Sequence, residues 1–448
     1  MMKTNFDIIV IGVGMAGLSV ARRTAAAGKK VAVIDARPYG GTCALRGCDP
    51  KKVLVGAAEL VAWQRRMKGH GVEGESRIDW AELMAFKRTF TEPVSDNLEK
   101  SLGNLGVATY YGGARFVGRN RLAVGDDTLT ADHIVIAVGA KPRDLDFPGA
   151  ERVVTSTDFL DLETLPNRIV FIGGGYISFE FAHIAARAGA DVTVLHRGER
   201  PLKAFDADLV ARLMTASQEI GIDVQVNIEV TAVVKSADSF SVETAEGGSV
   251  QADLVVHGAG RVPEIDDLDL AAGGVEHDLK RGVAVNDFLQ SVSNPVVYAA
   301  GDSADTDGWP LTPVAVHEGF IAASNILKGN HKTPDYTGTP SVAFTVPSLA
   351  RAGLTEAEAE AQGLKFIVNQ GDMSGWYTAR RTCEPHAAYK VLVEAETGRI
   401  LGAHLFSAHA GETINLFALA MRQGLSARDV KTGIFVHPAA SSDVSYML

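Results

Sequence analysis

The stretch FDIIVIGVGMAGLSVARRTAAAGKKVAVID, residues 6–35, decides the fold of this chain. It opens on a run that is apolar apart from Asp7, residues 6–11, and ends with a continuous apolar run, residues 31–34. Continuous apolar runs of this length are typical of strands that are buried on both faces of a parallel sheet. The residues between the runs favour a glycine loop followed by a helix. The stretch therefore predicts a strand, a helix and a second parallel strand, the βαβ unit of an α/β fold.

The glycines of this unit follow the pattern G-x-G-x-x-G, as Gly12, Gly14 and Gly17. In this pattern the small residues let the backbone approach a pyrophosphate, which binds at the N-terminus of the helix. Asp35 follows Gly12 by 23 residues, close to the spacing of an acid that accepts hydrogen bonds from a ribose. The unit therefore predicts a dinucleotide site rather than a tight turn without a ligand.

A second copy of the unit begins with the apolar run of residues 168–172. Gly173 and Gly175 form its loop, and Ser178 takes the place of the third glycine. Because internal repetition is a stronger signal than either copy alone, the chain is expected to contain two dinucleotide-binding domains.

The second copy carries cations where the first has its acid. The residue 23 positions after Gly173 is His196, and Arg197, Arg200 and Lys203 follow it. Cationic side chains attract the 2′-phosphate of NADP, which a carboxylate would repel. The pattern favours NADPH over NADH. The alternative is a solvated surface turn. The acidic Glu199, which lies among these cations, favours this alternative.

Two cysteines lie close together in GGTCALRGCDPKK, residues 40–52. The spacing of Cys43 and Cys48 is not that of a zinc site, so a redox pair is the first hypothesis and two buried structural cysteines are the alternative. In a straight helix residues five apart have Cα atoms about 8.7 Å apart, whereas a disulfide requires less than about 7 Å. A disulfide would therefore need a distorted turn, which Gly47 and Pro50 suit.

Three basic side chains flank this pair. Arg46, Lys51 and Lys52 are expected to lower the pKa of a nearby thiol, because a positive charge stabilises the thiolate. The third cysteine, Cys383, is isolated in the sequence and is expected to be an ordinary buried or surface thiol.

The composition limits the classes of protein that remain. A length of 448 residues suggests about three domains, and a net charge of −11 without basic runs argues against a nucleic-acid partner. Three cysteines do not make an extracellular disulfide framework. The apolar stretch from Ile8 to Ala21 is similar to a signal peptide, but Asp7 precedes it and no small-residue cleavage site follows before the basic pair Arg22 and Arg23. We therefore expect a cytoplasmic protein without a transmembrane span.

The chain changes character near residue 339. Strand-like runs at residues 342–346, 389–394 and 400–406, with a helical stretch at 410–423, predict an antiparallel sheet with helices, an α+β unit.

The segment at residues 40–52 is similar to the redox motif G-G-T-C-x-N-x-G-C-x-P-[SK]-K of the class I flavoprotein disulfide reductases. This family includes glutathione reductase, dihydrolipoamide dehydrogenase and mercuric reductase. The resemblance covers essentially the whole chain, with the motifs in the family's order. It implies an α/β fold with two Rossmann-like domains and a C-terminal α+β dimerisation domain. The implied domains are an FAD-binding domain at 1–146 and 263–337, an NAD(P)H-binding domain at 147–262 and an interface domain at 338–448.

The resemblance implies roles for the residues around the cysteine pair. Cys48 matches the cysteine beside the flavin, which forms a thiolate charge-transfer pair. Cys43 matches the interchange thiol that attacks a substrate disulfide. Tyr176 matches the aromatic lid that covers the flavin until the nicotinamide displaces it.

A buried ion pair near the flavin is also implied. Glu180 matches a carboxylate that pairs with a lysine near flavin N5, and in this chain that lysine is Lys51 or Lys52.

The cofactor-binding positions carry over from the family's motifs. The residues expected to bind FAD are Gly12, Gly14, Gly17, Asp35, Gly41, Thr42, Gly139, Asp302 and Thr312. Those expected at the NADPH site are Gly173, Gly175, Tyr176, Ile177, Arg197, Arg200, Lys203, Gly260 and Arg261, the last of which matches an arginine near both nucleotides. No resident metal is expected.

His437 resembles the family's acid/base histidine, which reaches the redox pair of the other subunit. The resemblance therefore implies a homodimer with a shared active site. The family places a glutamate five residues after this histidine to orient it and raise its basicity. This chain has Ser442 at that position and Asp443 one residue later. We expect Asp443 to substitute for the glutamate through a shifted turn.

The implied activity is electron transfer from NADPH through FAD and the Cys43–Cys48 disulfide to a small-molecule disulfide. The resemblance implies that His437 of the partner chain protonates the leaving thiolate.

Departures from the family's pattern leave the acceptor unassigned. Leu45 replaces the usual asparagine, and of three positions that hold glutathione, now Met15, Arg22 and Phe320, only the arginine is kept. The alternatives are a dihydrolipoamide dehydrogenase that uses NAD, a reductase of a quinone or metal-ion acceptor, and a flavin-bearing redox sensor with negligible turnover.

Overall fold

The computed structural model describes residues 3–448, with side chains from Asn5 onward. Residues 1 and 2 of the predicted first domain lie outside the described residues. The chain divides into two compact units. The first unit contains the chain up to Lys51, Phe86–Arg143 and Arg261–Tyr336, and the second contains Lys52–Ala85, Asp144–Gly260 and Thr337–Leu448. The second unit includes both the predicted coenzyme domain and the predicted interface domain, so their separation stays a prediction.

The described residues form twelve α-helices. They are α1 Met15–Ala26, α2 Cys48–Met67, α3 Trp80–Thr91, α4 Val94–Asn104, α5 Ser156–Phe159, α6 Tyr176–Ala188, α7 Ala207–Glu219, α8 Thr312–Lys328, α9 Glu356–Ala361, α10 Tyr377–Arg380, α11 Ala410–Arg422 and α12 Ala427–Lys431.

Residues 3–448 also contain 24 strands. In chain order they are β1 Lys3–Ile11, β2 Val31–Asp35, β3 Ala108–Tyr111, β4 Ala114–Gly118, β5 Arg121–Val124, β6 Asp127–Ile136, β7 Ala140–Pro142, β8 Arg168–Ile172, β9 Asp191–His196, β10 Ile222–Val226, β11 Val230–Ser236, β12 Ser239–Thr244, β13 Ser249–Ala252, β14 Leu254–His257, β15 Arg261–Pro263, β16 His277–Asp278, β17 Gly282–Ala284, β18 Val297–Ala299, β19 Ala304–Asp305, β20 Pro340–Ala343, β21 Ser348–Gly353, β22 Phe366–Asp372, β23 Ala388–Glu394 and β24 Ile400–Ser407.

The first unit is built on a seven-stranded sheet with the order β3-β2-β1-β6-β5-β4, in which β18 also pairs with β6. Strands β1, β2, β3, β6 and β18 pair in parallel, and β4 and β5 add an antiparallel ribbon. The predicted βαβ unit is confirmed, since β1 pairs in parallel with β2 and α1 connects them. The first compact unit of the chain also contains the small sheets β7-β15 and β16-β17-β19.

The second unit contains three further sheets. Strands β10-β9-β8-β14 form a parallel sheet that includes the second copy of the βαβ unit. Strands β11-β12-β13 form an antiparallel sheet, and β20-β21-β24-β23-β22 form the antiparallel sheet predicted near the C-terminus. Helix α11 packs against β21 and β24 of that last sheet, which gives the expected α+β arrangement.

The continuous apolar runs are explained by burial on both faces of the parallel sheets. In β1, Ile9 and Ile11 belong to one apolar cluster, whereas Ile8 and Val10 belong to another. Successive side chains of a strand point to opposite faces, and burial of each stabilises the fold by about 1.5–3 kcal/mol. This burial fixes the strand whose end carries the first glycine loop.

The search for a membrane span among the described residues gives a negative result, since each helix there is too short or too polar to cross a bilayer.

Candidate active site

The first glycine loop has the geometry of a dinucleotide cradle. Gly12 has a φ of +97°, and a Cβ at this position would lie 2.3 Å from the carbonyl oxygen of Ala137. A Cβ on Gly17 would lie 1.9 Å from the carbonyl oxygen of Gly12. Helix α1 begins directly after this loop, so its free N–H groups point towards the cradle. Only glycine satisfies both the backbone conformation and the space at Gly12.

Asp35 closes the same cradle from the end of β2. Its Oδ2 accepts a hydrogen bond of 2.8 Å from the N–H of Val13, and its Oδ1 accepts one of 2.9 Å from the N–H of Arg37. The acid predicted 23 residues downstream of Gly12 is therefore bound to the loop itself.

The cysteine segment packs on this loop. A Cβ on Gly41 would lie 2.6 Å from the Cα of Gly14, and the N–H of Gly40 donates to the carbonyl of Val13 at 3.0 Å. Thr42 then begins the turn that carries the cysteines. The close approach of two glycines therefore brings the thiols next to the cradle.

The turn between the two cysteines is not α-helical. Thr42–Arg46 form a π-helical turn, Gly47 breaks it with φ −152° and ψ −108°, and α2 begins at Cys48. This geometry agrees with the distorted turn expected for a cysteine pair at this spacing.

The two thiols form a cluster with a hydroxyl group. Cys43 and Cys48 are free thiols, and a hydrogen bond between their side chains, together with burial, raises the pKa of Cys43 well above its ordinary value. Thr312, the first residue of α8, lies with its Oγ1 3.4 Å from Cys48 Sγ and opposes this rise in the pKa of Cys43. Thr312, predicted beside the cofactor, therefore also contacts the thiols.

The prediction that the flanking cations lower the thiol pKa is wrong for Cys43. Arg46 interacts instead with other arginines and carboxylates of the first unit, and burial lowers its own pKa. Lys52 is 3.1 Å from Glu59, and Lys51 is buried. The cations are near the thiols along the chain, but none of them is among the main causes that set the pKa of Cys43.

Further predicted cofactor residues lie in the first unit. Asp302 is in the short turn after β18, where burial raises its pKa and nearby Arg261 partly opposes the rise. The guanidinium of Arg261 also donates to the carbonyl of Ala140. Gly139 adopts a φ of +74° just before β7. Arg261, predicted at the coenzyme site, thus lies beside Asp302 of the predicted FAD site.

The second glycine loop repeats the construction of the first. Gly173 has a φ of +108°, and a Cβ there would lie 2.4 Å from the carbonyl oxygen of Gly258. Helix α6 begins directly after Gly175. A Cβ on Gly258 would lie 1.9 Å from Ser178 Oγ, so the larger third residue of this copy is accommodated by a glycine that no sequence motif indicated. Gly260 follows with a φ of +113°.

The three predicted cations after β9 have different environments. The guanidinium of Arg200 donates to the carbonyls of Phe205, at 3.2 Å, and Lys203, at 3.4 Å. Arg197 and Lys203 have exposed side chains. Arg200 therefore holds the backbone of this segment, whereas the other two cations face solvent.

Glu180 lies in α6 and is 2 % exposed. Its Oε1 accepts a hydrogen bond of 2.8 Å from the N–H of Phe344, and Lys52 Nζ lies 4.7 Å from the centre of the Phe344 ring. Tyr176, at the start of the same helix, is 47 % exposed, and Ile177 packs on the apolar core. Lys52 therefore contacts Glu59 and this ring, and the ion pair of Glu180 with Lys51 or Lys52 stays a prediction.

The C-terminal segment brings Asp443, not Ser442, to the histidine. Burial raises the pKa of Asp443, and this rise is opposed by a hydrogen bond from the Thr378 hydroxyl and by the charge of nearby His437. The hydroxyl of Ser442 donates instead to the carbonyl of Ala439 at 2.6 Å. No sequence pattern points to Thr378, which lies in a separate helix, α10.

A cavity of about 30 Å³ lies behind this carboxylate, and Asp443, Thr378, His409 and Glu384 are among its lining residues. It is large enough for a water molecule.

Comparison with known proteins agrees with this architecture. Residues 6–319 match the family model described as pyridine nucleotide-disulphide oxidoreductase, and residues 339–447 match the dimerisation domain of the same family. The chain is 33% identical to a glutathione reductase of Burkholderia cepacia, over 99% of this chain and 98% of that one. It is 31% identical to a mercuric reductase of Lysinibacillus sphaericus, over 96% and 79% of the two chains.

The solved structures show the same fold. A Cu(II) complex of the HOCl-induced flavoprotein disulfide reductase RclA from Escherichia coli superposes with a TM-score of 0.90, at 26% identity and over 99% of both chains.

The fold and the site are those of an oxidoreductase that binds two dinucleotides. They contain two glycine cradles, a cysteine pair and a C-terminal antiparallel sheet. The chain belongs to the class I pyridine nucleotide-disulphide oxidoreductase family. It is an FAD-dependent disulfide reductase, and the cofactors that the family implies are FAD and a pyridine nucleotide.

Proposed function

We propose that this protein is an NADPH-dependent disulfide reductase that uses Cys43 and Cys48 as its redox pair. The observation that carries this proposal is the thiol cluster, in which a π-helical turn holds two hydrogen-bonded cysteines against the first glycine cradle and Thr312 of α8 contacts them. A structural pair of cysteines would need neither the unusual turn nor this position.

The residues of the first unit fit FAD. The crowded glycines leave room for a pyrophosphate, and Asp35 and Asp302 would accept hydrogen bonds from hydroxyl groups of FAD. Bound FAD would accept a hydride from the coenzyme and supply two electrons to the cysteine pair.

The chain's own residues perform the exchange with the substrate. Cys43 first gives its proton to His437 of a second copy and then attacks the substrate disulfide as a thiolate, which forms a mixed disulfide and releases the first thiolate. Cys48 then attacks the sulfur of Cys43, which restores the Cys43–Cys48 disulfide and releases the second thiolate. The hydrogen bond between the two thiols supports this exchange.

His437 is proposed to donate a proton to the leaving thiolate in the active site of a second copy of the chain. Its side chain is exposed, and it lies near apolar side chains that are also exposed, including Ile434, Val436 and Tyr446. Exposed apolar residues of this kind mark protein interfaces. We therefore propose a homodimer that forms through the domain of residues 338–448. We also propose that the FAD and coenzyme domains have the boundaries given above.

The coenzyme is proposed to be NADPH. Arg197 and Lys203 are the exposed cations after β9, and no carboxylate occupies the position equivalent to Asp35. Both features favour a ligand with a 2′-phosphate.

Anaerobic titration of the purified holoenzyme tests this function. We expect NADPH to reduce the flavin at lower concentration than NADH, and a long-wavelength thiolate–flavin band to appear as the cysteine pair is reduced. Reoxidation with a panel of small disulfides should then identify the acceptor. Absence of the band and equal reduction by both coenzymes would contradict the proposal.

A reductase of metal ions is the second candidate. The relatives include mercuric reductases, and the superposed RclA structure is a Cu(II) complex. Paired thiolates bind soft metal ions, and a metal-ion acceptor needs no protonated leaving thiolate, which fits a chain that lacks the family's glutamate at Ser442. Addition of Hg(II) and Cu(II) to the reoxidation panel separates the two candidates.

Thr378 provides a test of the acid/base pair. Thr378→Val removes the hydrogen bond that lowers the pKa of Asp443, so this pKa should rise. The acid limb of the pH–rate profile should therefore shift to higher pH. Thr378→Ser keeps the hydroxyl and should retain the wild-type pH–rate profile. Asp443→Asn should lower turnover by about tenfold or more and change the profile. An unchanged profile in both Thr378→Val and Asp443→Asn would show that Asp443 does not support His437.

A further inference from the structure

The cavity behind Asp443 combines apolar walls with polar groups. Its volume is about 30 Å³, and Leu405 and Met447 are among its apolar lining residues. The polar side chains that line it come from α10 and the turn after it, from the start of α11 and from the C-terminal segment. They include Thr378, Thr382, Glu384, His409, Thr413 and Asp443. A cavity needs about 10–15 Å³ to hold a water, and polar cavities bind water whereas apolar ones stay dry.

Three of these polar side chains bind protein groups. The Thr378 hydroxyl donates to Asp443, the Thr382 hydroxyl donates to the carbonyl of Ala379 at 3.0 Å, and Glu384 pairs with Arg66 at 2.8 Å. These contacts account for the groups at one side of the cavity.

The other side of the cavity is formed by Thr413 and His409, at the start of α11. Thr413 is 6 % exposed. Among residues 5–448, none makes a hydrogen bond to the hydroxyl of Thr413 or to the ring of His409. Because buried polar groups are normally hydrogen-bonded, these two side chains indicate a ligand in the cavity.

The His409 ring is neutral at pH 7. Burial lowers its pKa and the charge of Arg381 lowers it further, whereas Glu59 and Glu412 oppose this shift. A neutral imidazole has one donor and one acceptor nitrogen, and a hydroxyl group can also do both. Thr413 and His409 can therefore each hold a water while that water donates a hydrogen bond to a carboxylate.

Asp443 is the carboxylate that such a water would serve. Burial raises its pKa, and the Thr378 hydroxyl and the charge of His437 oppose the rise. Across the cavity the titratable groups are His409, which is neutral, and Glu384, whose charge is balanced by Arg66. An ionised carboxylate can accept several hydrogen bonds, and each one stabilises the charged form.

We propose that this cavity is a binding site for an ordered water that donates a hydrogen bond to Asp443 and is held by Thr413 and His409. The two side chains are positioning residues, since they act on the acid/base pair only through the water. This inference rests on the proposed function, in which Asp443 supports His437.

Thr413→Val removes the hydroxyl at nearly constant volume. The acid limb of the pH–rate profile for disulfide reduction should shift to higher pH by about half a unit or more, because Asp443 loses a donor. Thr413→Ser should retain the wild-type profile. Thr215→Val is the matched control, since Thr215 is an exposed helical residue whose hydroxyl donates to the carbonyl of Ala211, and it should leave the profile unchanged.

His409 is tested in the same way. His409→Phe removes both ring nitrogens and should shift the acid limb in the same direction, whereas His409→Gln keeps a donor and an acceptor and should retain the wild-type profile. Because both side chains hold one water, the double variant with Thr413→Val should shift the limb no further than the larger single effect. Additive shifts would contradict a shared water.

A high-resolution crystal structure of the holoenzyme gives a readout that does not depend on activity. It should show an ordered water within hydrogen-bond distance of Asp443, Thr413 and His409, and Thr413→Val should lose it. A dry cavity in the wild type, or a wild-type profile in Thr413→Val when Asp443→Asn changes the profile, would overturn the water site alone. An unchanged profile in Asp443→Asn would instead overturn the proposed support of His437.

Discussion

Cys43→Ser and Cys48→Ser are each expected to lower disulfide reduction by at least about 10³-fold, because either change removes a member of the only thiol pair in the described cradle. Flavin reduction by NADPH should remain within about threefold of the wild type, since neither thiol is proposed to bind the coenzyme. Stopped-flow reduction and steady-state turnover measure the two quantities separately.

The two variants should also differ from each other. Cys43→Ser leaves the thiol at Cys48, beside Thr312, and should retain a long-wavelength band with the flavin, whereas Cys48→Ser should lose it. Cys383→Ser is the matched control, since Cys383 is a free, partly buried thiol outside this cluster and its loss should change turnover by less than about twofold. Full turnover in the Cys43→Ser, Cys48→Ser double variant would refute the proposed electron route.

Gly12→Ala should produce the largest loss of stability and of bound flavin. The new Cβ would meet the carbonyl oxygen of Ala137 at 2.3 Å, and the residue would keep a φ of +97°. Crowding and backbone strain together should cost about 3 kcal/mol or more, and the displaced loop should no longer fit a pyrophosphate. The flavin-to-protein absorbance ratio and thermal unfolding measure both effects.

Gly28→Ala separates strain from crowding. Gly28 has a φ of +82°, but a Cβ there would meet no atom within 4 Å. Its replacement should cost only about 1 kcal/mol and leave the flavin content unchanged. Equal effects of the two substitutions would mean that the close approach at Gly12 does not shape the cofactor site.

The pattern of the chain was sufficient to predict both βαβ units and the glycine loops within them. Continuous apolar runs correspond to strands buried on both faces. The first glycine of each loop, Gly12 or Gly173, lies where the backbone turns with positive φ and passes within contact distance of another strand end. Strand burial and the turn at a glycine depend on residues that are close together in the chain, so the sequence is sufficient to predict them. The same reason explains why Asp35 could be assigned from its spacing alone.

The directions of charged side chains were not predictable in this way. Arg200 stays a predicted coenzyme residue, but no pattern indicated that its guanidinium donates to two backbone carbonyls, or that the charges acting on Arg46 are those of Arg37, Asp35 and Glu264. A long side chain can reach many partners, and the chosen one depends on which carbonyls and carboxylates the folded backbone leaves open.

The sequence by itself determined that this chain has two dinucleotide loops and a cysteine pair, because those features are local. Only the tertiary structure decided that Thr378 supports Asp443 and that Gly258 makes room for Ser178. In each case the partners are far apart along the chain, and their contact exists only because sheets and helices bring distant backbone segments together.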